Sequence, residues 1–167
     1  MPCGSCKPPA TVAAFAQITA PDEPGKKLRI SGTVYQEDGK TPAPGITLFL
    51  YQTDATGHYN TKDDPFNPRI HGWVRTSPTG GYEFATVLPG AYPSHREPAH
   101  IHVHNFAADW PEWFNDDFWF ADDPLLTPRQ RAAATAMGEF GNIVALRENA
   151  AGELVGQRKL RLARRPA

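Results

Sequence analysis

Residues 44–53 read PGITLFLYQT, a run that starts at a Pro-Gly turn and is apolar on both faces. Such a short apolar run behind a turn signal is what a central strand buried on two sides requires. Its neighbours are strand-like too. Leu28, Ile30 and Val34 alternate with polar residues before an Asp38-Gly39 turn. GWVRT (72–76), GYEFATV (81–87), AHIHVHNF (99–106) and DDFWF (116–120) continue the pattern. NIVALRE and ELVGQRKLRLA then flank 149–152 as a hairpin. One segment reads as helix: Thr127 is a good N-cap, Pro128 suits the first helical position, RQRAAATAM is rich in helix formers and Gly138 can end it. Short strands punctuated by 17 prolines and 14 glycines predict an all-β fold, an antiparallel β-sandwich with one short helix and long loops.

The 167 residues suit one domain with a real core, and 40% hydrophobic with 21% charged residues is ordinary for a globular protein. A net charge of −1 gives no electrostatic case for a nucleic-acid or membrane partner. No apolar run approaches the roughly 20 residues of a membrane span. Cys3 and Cys6 form a CxxC with no second ligand pair downstream and no strand-to-helix context, so they read as incidental or locally structural. With no signal-peptide pattern at the start, the expected location is cytoplasmic.

The chemistry concentrates in YPSHREPAHIH, residues 92–102. Residues two apart on a strand share a face, about 7 Å apart at Cα, so His100 and His102 can bring two imidazoles to one metal ion. Imidazole accepts Zn, Cu, Fe or Ni, so the pair implies a metal without naming it. Phenolate oxygen from tyrosine is a hard, anionic donor that suits Fe(III). Two phenolates and a hydroxide would neutralise a 3+ ion, while imidazoles add no charge. His104 continues the alternation, but four strand residues span about 13 Å, so it reads as pocket wall or support behind the ligands. His95 lies in the intervening loop and reads as lining the entrance. His58 and His71 read as structural, as do Tyr35, Tyr51 and Tyr82.

The order G-x-V-x-x-x-D-G, YQTDATGHY, GYEFATVLPGAYP and EPAHIH, over roughly residues 26–124, resembles the intradiol ring-cleavage dioxygenases, especially the catalytic domain of protocatechuate 3,4-dioxygenase subunits. The resemblance implies one non-haem Fe(III) per chain, held by Tyr59, Tyr92, His100 and His102. It implies a small aromatic diol and O2 as reaction partners, with Tyr92 taking a substrate proton as it leaves the metal. Residues 1–25 are then an extended N-terminal tail and 26–167 a single β-sandwich catalytic domain. The helical dimerisation segment of catechol dioxygenases has no counterpart here, which leaves a homo-oligomer open.

Two positions depart from the family pattern. Many members carry Arg immediately before the Pro of PxHIH; this chain has Glu97, with Arg96 one residue earlier as the candidate replacement. Counting forward from HIH, Asp117 stands where protocatechuate-type enzymes have a glutamine near the oxygen-binding side. His95, His104 and Asp117 are therefore the expected pocket residues. Trp110, Trp113, Phe114, Phe118, Trp119 and Phe120 read as core, subunit interface or substrate wall. Two rival readings remain: a metal-free β-sandwich binding module, and a zinc hydrolase using the HxHxH face.

Overall fold

The computed structural model describes residues 9–62, 64–107, 110–114 and 116–163; Cys3 and Cys6 lie outside them. Five strands precede the histidine segment: β1 (Phe15–Gln17), β2 (Lys27–Tyr35), β3 (Thr47–Gln52), β4 (Ile70–Arg75) and β5 (Gly81–Val87). The histidines lie on β6 (His100–Ala107), followed by β7 (Trp110–Phe114) and β8 (Phe118–Phe120). After helix α1 (Pro128–Ala136) come β9 (Ile143–Val144), β10 (Arg147–Glu148), β11 (Leu154–Gln157) and β12 (Leu160–Arg161). One sheet runs β1-β5-β2-β11-β10 with β12 also on β2; the other runs β4-β3-β6-β8-β9 with β7 also on β6.

The inner faces meet in one apolar core. Leu28, Ile30, Val34 and Phe84 come from the first sheet, and Leu48, Leu50, Ile101, Val103 and Phe118 from the second. Full burial of such side chains contributes about 1.5–3 kcal/mol each. The second sheet is covered on its outer face as well. Phe49, Tyr51, Tyr59 and Trp73 form a second buried cluster, with Val12, Tyr92 and Phe106 packed against it. That double burial explains why PGITLFLYQT has no polar face.

The helix forms as its signals dictate. Thr127 accepts from the Gln130 N–H and Gln130 accepts in return, a capping box with Pro128 in the first turn. No helix among the described residues is long and apolar enough to cross a membrane.

Three features differ from the sequence expectation. The pairings β1·β5, β2·β11, β2·β12 and β8·β9 are parallel, so the sheets are mixed around antiparallel centres. Part of the segment read as a tail is built into the sandwich: Phe15–Gln17 pairs with β5, and Ile18 is a core residue. Three residues are too few for alternation to show, and their strand character comes from the β5 edge they add to. The backbone of Trp110–Phe114 pairs with β6 across an irregularity between Asn105 and Ala107.

The two loops that carry the candidate tyrosines are locked together. Thr53 Oγ1 donates to Gly90 O at 2.8 Å, and the Gly90 N–H donates to Asp54 O at 2.8 Å. Gly57 has φ +90°, and a Cβ there would lie 2.1 Å from Ala91 O. Neither the left-handed backbone nor the clash with a carbonyl tolerates a side chain. Gly57→Ala is expected to cost about 2–3 kcal/mol, or roughly 5–10 °C in Tm. Thermal unfolding checks this, and an unchanged Tm would contradict the interlock.

Candidate metal centre

Each candidate ligand is delivered by a distinct local device. The loop before Tyr59 is organised by Asp54, whose Oδ1 accepts from the backbone N–H groups of Thr56 and His58. The Arg69 N–H donates to Tyr59 O at 2.9 Å. Arg69 is itself held by a bidentate pair to the buried carboxylate of Glu23, at 2.6 and 2.8 Å. Tyr92 follows β5 through the Pro89-Gly90 segment, and the turn after it closes through the His95 N–H to Tyr92 O, with His95 at φ 49°. His100 and His102 share the outer face of β6, while Ile101 and Val103 point into the core.

The four side chains converge. Tyr59 and Tyr92 hydroxyls lie 2.5 Å apart, Tyr59 OH is 2.8 Å from His102 Nε2, and Tyr92 OH is 3.0 Å from His100 Nε2 and 3.3 Å from His102 Nε2. The two Nε2 atoms are 3.1 Å apart. On the far side of each ring, Nδ1 is occupied: His100 Nδ1 is 2.7 Å from Pro98 O and His102 Nδ1 is 2.8 Å from Asp117 Oδ1. A carbonyl and a carboxylate only accept, so each Nδ1 carries the proton, and in the neutral form of each ring the Nε2 lone pair turns inward.

Those tautomers test the fit of a metal. Two phenolic protons cannot bridge five contacts of 2.5–3.3 Å among four heteroatoms, and the two Nε2 lone pairs face each other with no proton between them. One cation accepting all four lone pairs resolves that conflict. Ligands about 2.0–2.1 Å from a common ion and at right angles are separated by about 2.9 Å, within the observed spread. Donor chemistry and spacing both fit a hard cation.

Electrostatics favour the same state. Burial, reinforced by the neighbouring His102, depresses the His100 pKa and keeps that ring neutral. Burial pushes the Tyr59 phenol well above its ordinary pKa, and the bond to Tyr92 adds to the shift. Without a cation Tyr59 keeps its proton, so a metal must supply the energy for its loss.

The remaining expected residues fall in different places. His104 is 1% exposed and lies edge-on to Phe49, 6.2 Å between ring centroids, at the buried end of the face. It therefore forms a wall under the outer cluster. His95, Arg96 and Glu97 are all exposed on the loop leading to His100. Asp117 spends one oxygen on His102, behind the ring. His100, His102 and Asp117 offer ligand atoms within 4.8 Å of one another, but the carboxylate meets Nδ1 while Nε2 faces the phenols. Asp117 is thus placed to orient His102. Its backbone is steadied by buried Arg158, whose Nη1 donates to Asp116 O at 2.7 Å and whose guanidinium lies 4.5 Å over the Phe118 ring. Phe118 and Phe120 are core residues, and Trp119 pairs with His100 in the ladder. The side chains of Trp110, Trp113 and Phe114 lie outside the described residues.

Sequence reading missed Tyr51. It pairs with His102 across β3 and β6 and stacks on that ring, 4.4 Å between centroids and 22° between planes. The strand register would have revealed it, because directly opposed residues share a face. His71 keeps its structural role, its Nδ1 2.8 Å from Pro68 O. Tyr82 does likewise, donating to Arg158 O.

Comparison with known proteins identifies the family. The family described as Dioxygenase (Dioxygenase_C) matches residues 9–160. A protocatechuate 3,4-dioxygenase beta chain from Burkholderia cepacia is 34% identical over 113 residues, 61% of this chain and 48% of that one. Catechol 1,2-dioxygenase 1 from Acinetobacter lwoffii is 36% identical over 77 residues, 43% of this chain and 24% of that one. This chain therefore spans about half the length, or less, of these curated relatives. The dioxygenase domain of a dioxygenase carbohydrate-binding protein fusion from Streptomyces sp. SirexAA-E superposes with a TM-score of 0.66 at 23% identity, covering 95% of this chain and 94% of that one, and so shares the fold. With most of its length matched, the chain belongs to the intradiol ring-cleavage dioxygenase family.

If Asp117 orients His102, Asp117→Ala should lower metal affinity by about 10–100-fold. Asp117→Asn, which can still accept from Nδ1–H, should recover part of the loss. Metal titration of the three proteins checks this, and equal affinities would contradict the role.

Proposed function

We propose that this protein is an Fe(III)-dependent intradiol dioxygenase that opens a catechol-type ortho-diphenol with O2 to a muconate-type diacid. One non-haem iron per chain would be held by Tyr59, Tyr92, His100 and His102. The observation that carries the reading is the convergence of two phenol oxygens and two inward Nε2 lone pairs, each imidazole fixed from behind by its own acceptor. Bound ferric iron would acidify a chelated diol and withdraw electron density from its ring, making the ring reactive towards O2.

The protein's own groups supply the rest. Tyr59 is 4% exposed and cornered by its loop, which suits a ligand that stays in place. Tyr92 is half-buried and precedes the exposed stretch 93–97, which suits a ligand that can withdraw. A tyrosinate that withdraws as substrate binds can take a substrate hydroxyl proton on its phenolic oxygen. His100 and His102 stay fixed through Pro98 O and Asp117. Cleavage then falls between the two hydroxylated carbons, and both atoms of O2 enter the diacid product.

The zinc-hydrolase reading needs His104 beside His100 and His102, but His104 packs against Phe49 at the buried end of the face. The metal-free module gives the facing lone pairs no purpose.

Iron-replete protein should be red-brown from phenolate-to-iron charge transfer, with about one iron per chain. Catechol should move the band to longer wavelength under anaerobic conditions, and admitting oxygen should consume O2 and catechol together. Tyr59→Phe should bleach or shift the band and cut turnover by about 100-fold or more. A colourless iron-loaded protein, or an unchanged band in Tyr59→Phe, would refute the ligand set.

A further inference from the structure

The charges around the outer face of β6 bear on which catechol is accepted. Asp117 lies 2.8 Å behind His102, with its side chain 30% exposed and so not fully screened. Glu97 is exposed and immediately precedes Pro98, whose carbonyl oxygen is hydrogen-bonded to the His100 Nδ1–H. Its negative charge is felt at His100, together with that of Asp117.

Two of the nearby cations, Arg69 and Arg158, are held by other groups. Arg69 is bound to Glu23 and lies 3.6 Å from Asp54. Arg158 is buried over Phe118, whose side chain is in the core on the other side of the sheet. Arg96 stands exposed on the loop, one residue farther from His100 than Glu97.

On this basis, and resting on the dioxygenase reading above, we propose that the site selects catechols with neutral or cationic ring substituents over those with an acidic substituent, and that Glu97 and Asp117 are the specificity-determining charges. The metal would take up the two diol oxygens in the same way in all these substrates. Discrimination then lies in the substituent, which enters a region whose fixed field is negative. Like charges on ligand and site cost both encounter rate and affinity, and a partly water-excluded cleft strengthens the effect. A neutral substituent escapes the penalty and an ammonium group gains from it.

The test uses iron-replete protein at fixed ionic strength and three ring-matched substrates: 4-methylcatechol, 4-(2-aminoethyl)catechol and 3,4-dihydroxyphenylacetate. A saturated carbon next to each ring keeps the electronics similar. The kcat/KM for the acid should be about tenfold or more below that for the neutral compound, and the amine should equal or exceed the neutral one. The gap should lie mainly in KM and in the anaerobic spectral titration, and it should shrink as salt is raised. Glu97→Gln, on an exposed loop, should narrow the ratio several-fold, and Glu97→Lys should narrow it further. If the acid is used as well as the neutral compound, or if the ratio is indifferent to both salt and Glu97, the charge preference is wrong while the dioxygenase reading stands. If no diol is consumed and none shifts the visible band, the dioxygenase reading falls and takes this proposal with it.

Discussion

The candidate centre depends on two hydrogen bonds that never touch its middle. His100 Nδ1–H is held by the Pro98 carbonyl and His102 Nδ1–H by Asp117. A free neutral imidazole can place its proton on either nitrogen, and the wrong choice would turn a donor N–H towards the phenols. Fixing the proton on Nδ1 leaves the Nε2 of each neutral ring as an acceptor, the form a metal ligand requires. Everything else in the fold can be understood as holding those acceptors and phenols in register.

That support has a mechanical logic. The second sheet is buried on both faces, so the side chains of β3 and β6 have little freedom to turn. Tyr51 lies flat against His102, and Phe49 closes the cluster below it. The tyrosines come from loops, which are softer, and the structure stiffens them by lacing one loop to the other through Thr53, Asp54, Gly57 and Gly90. Behind β8, the buried Arg158 secures the segment that presents Asp117. The 2.5 Å approach of the two phenol oxygens thus traces back to glycines that lace their loops together, and the placement of Asp117 to a buried cation outside the site.

Much of this was legible in the sequence, for identifiable reasons. The two-sided apolar run at 44–53, the turn signals and the Thr127-Pro128 helix start are local, and local physics decided them. The alternation of His100 and His102 with Ile101 and Val103 is equally local, so the shared face could be read without a structure. What stayed hidden depends on pairing between distant segments. Tyr51 looks like any buried tyrosine until β3 is set against β6 in register. Asp117 could be located by counting, but not its job, because the approach of β8 to the back of His102 is a tertiary fact. β1 has no pattern of its own and exists because β5 offers an edge.

The central claim concerns where a metal sits, and anomalous diffraction at the iron absorption edge from crystals of iron-replete protein addresses it most directly. The expected result is a single peak per chain within coordination distance of Tyr59 Oη, Tyr92 Oη, His100 Nε2 and His102 Nε2. A peak elsewhere, or one bound through Asp117 and the Nδ1 of His102, would contradict it.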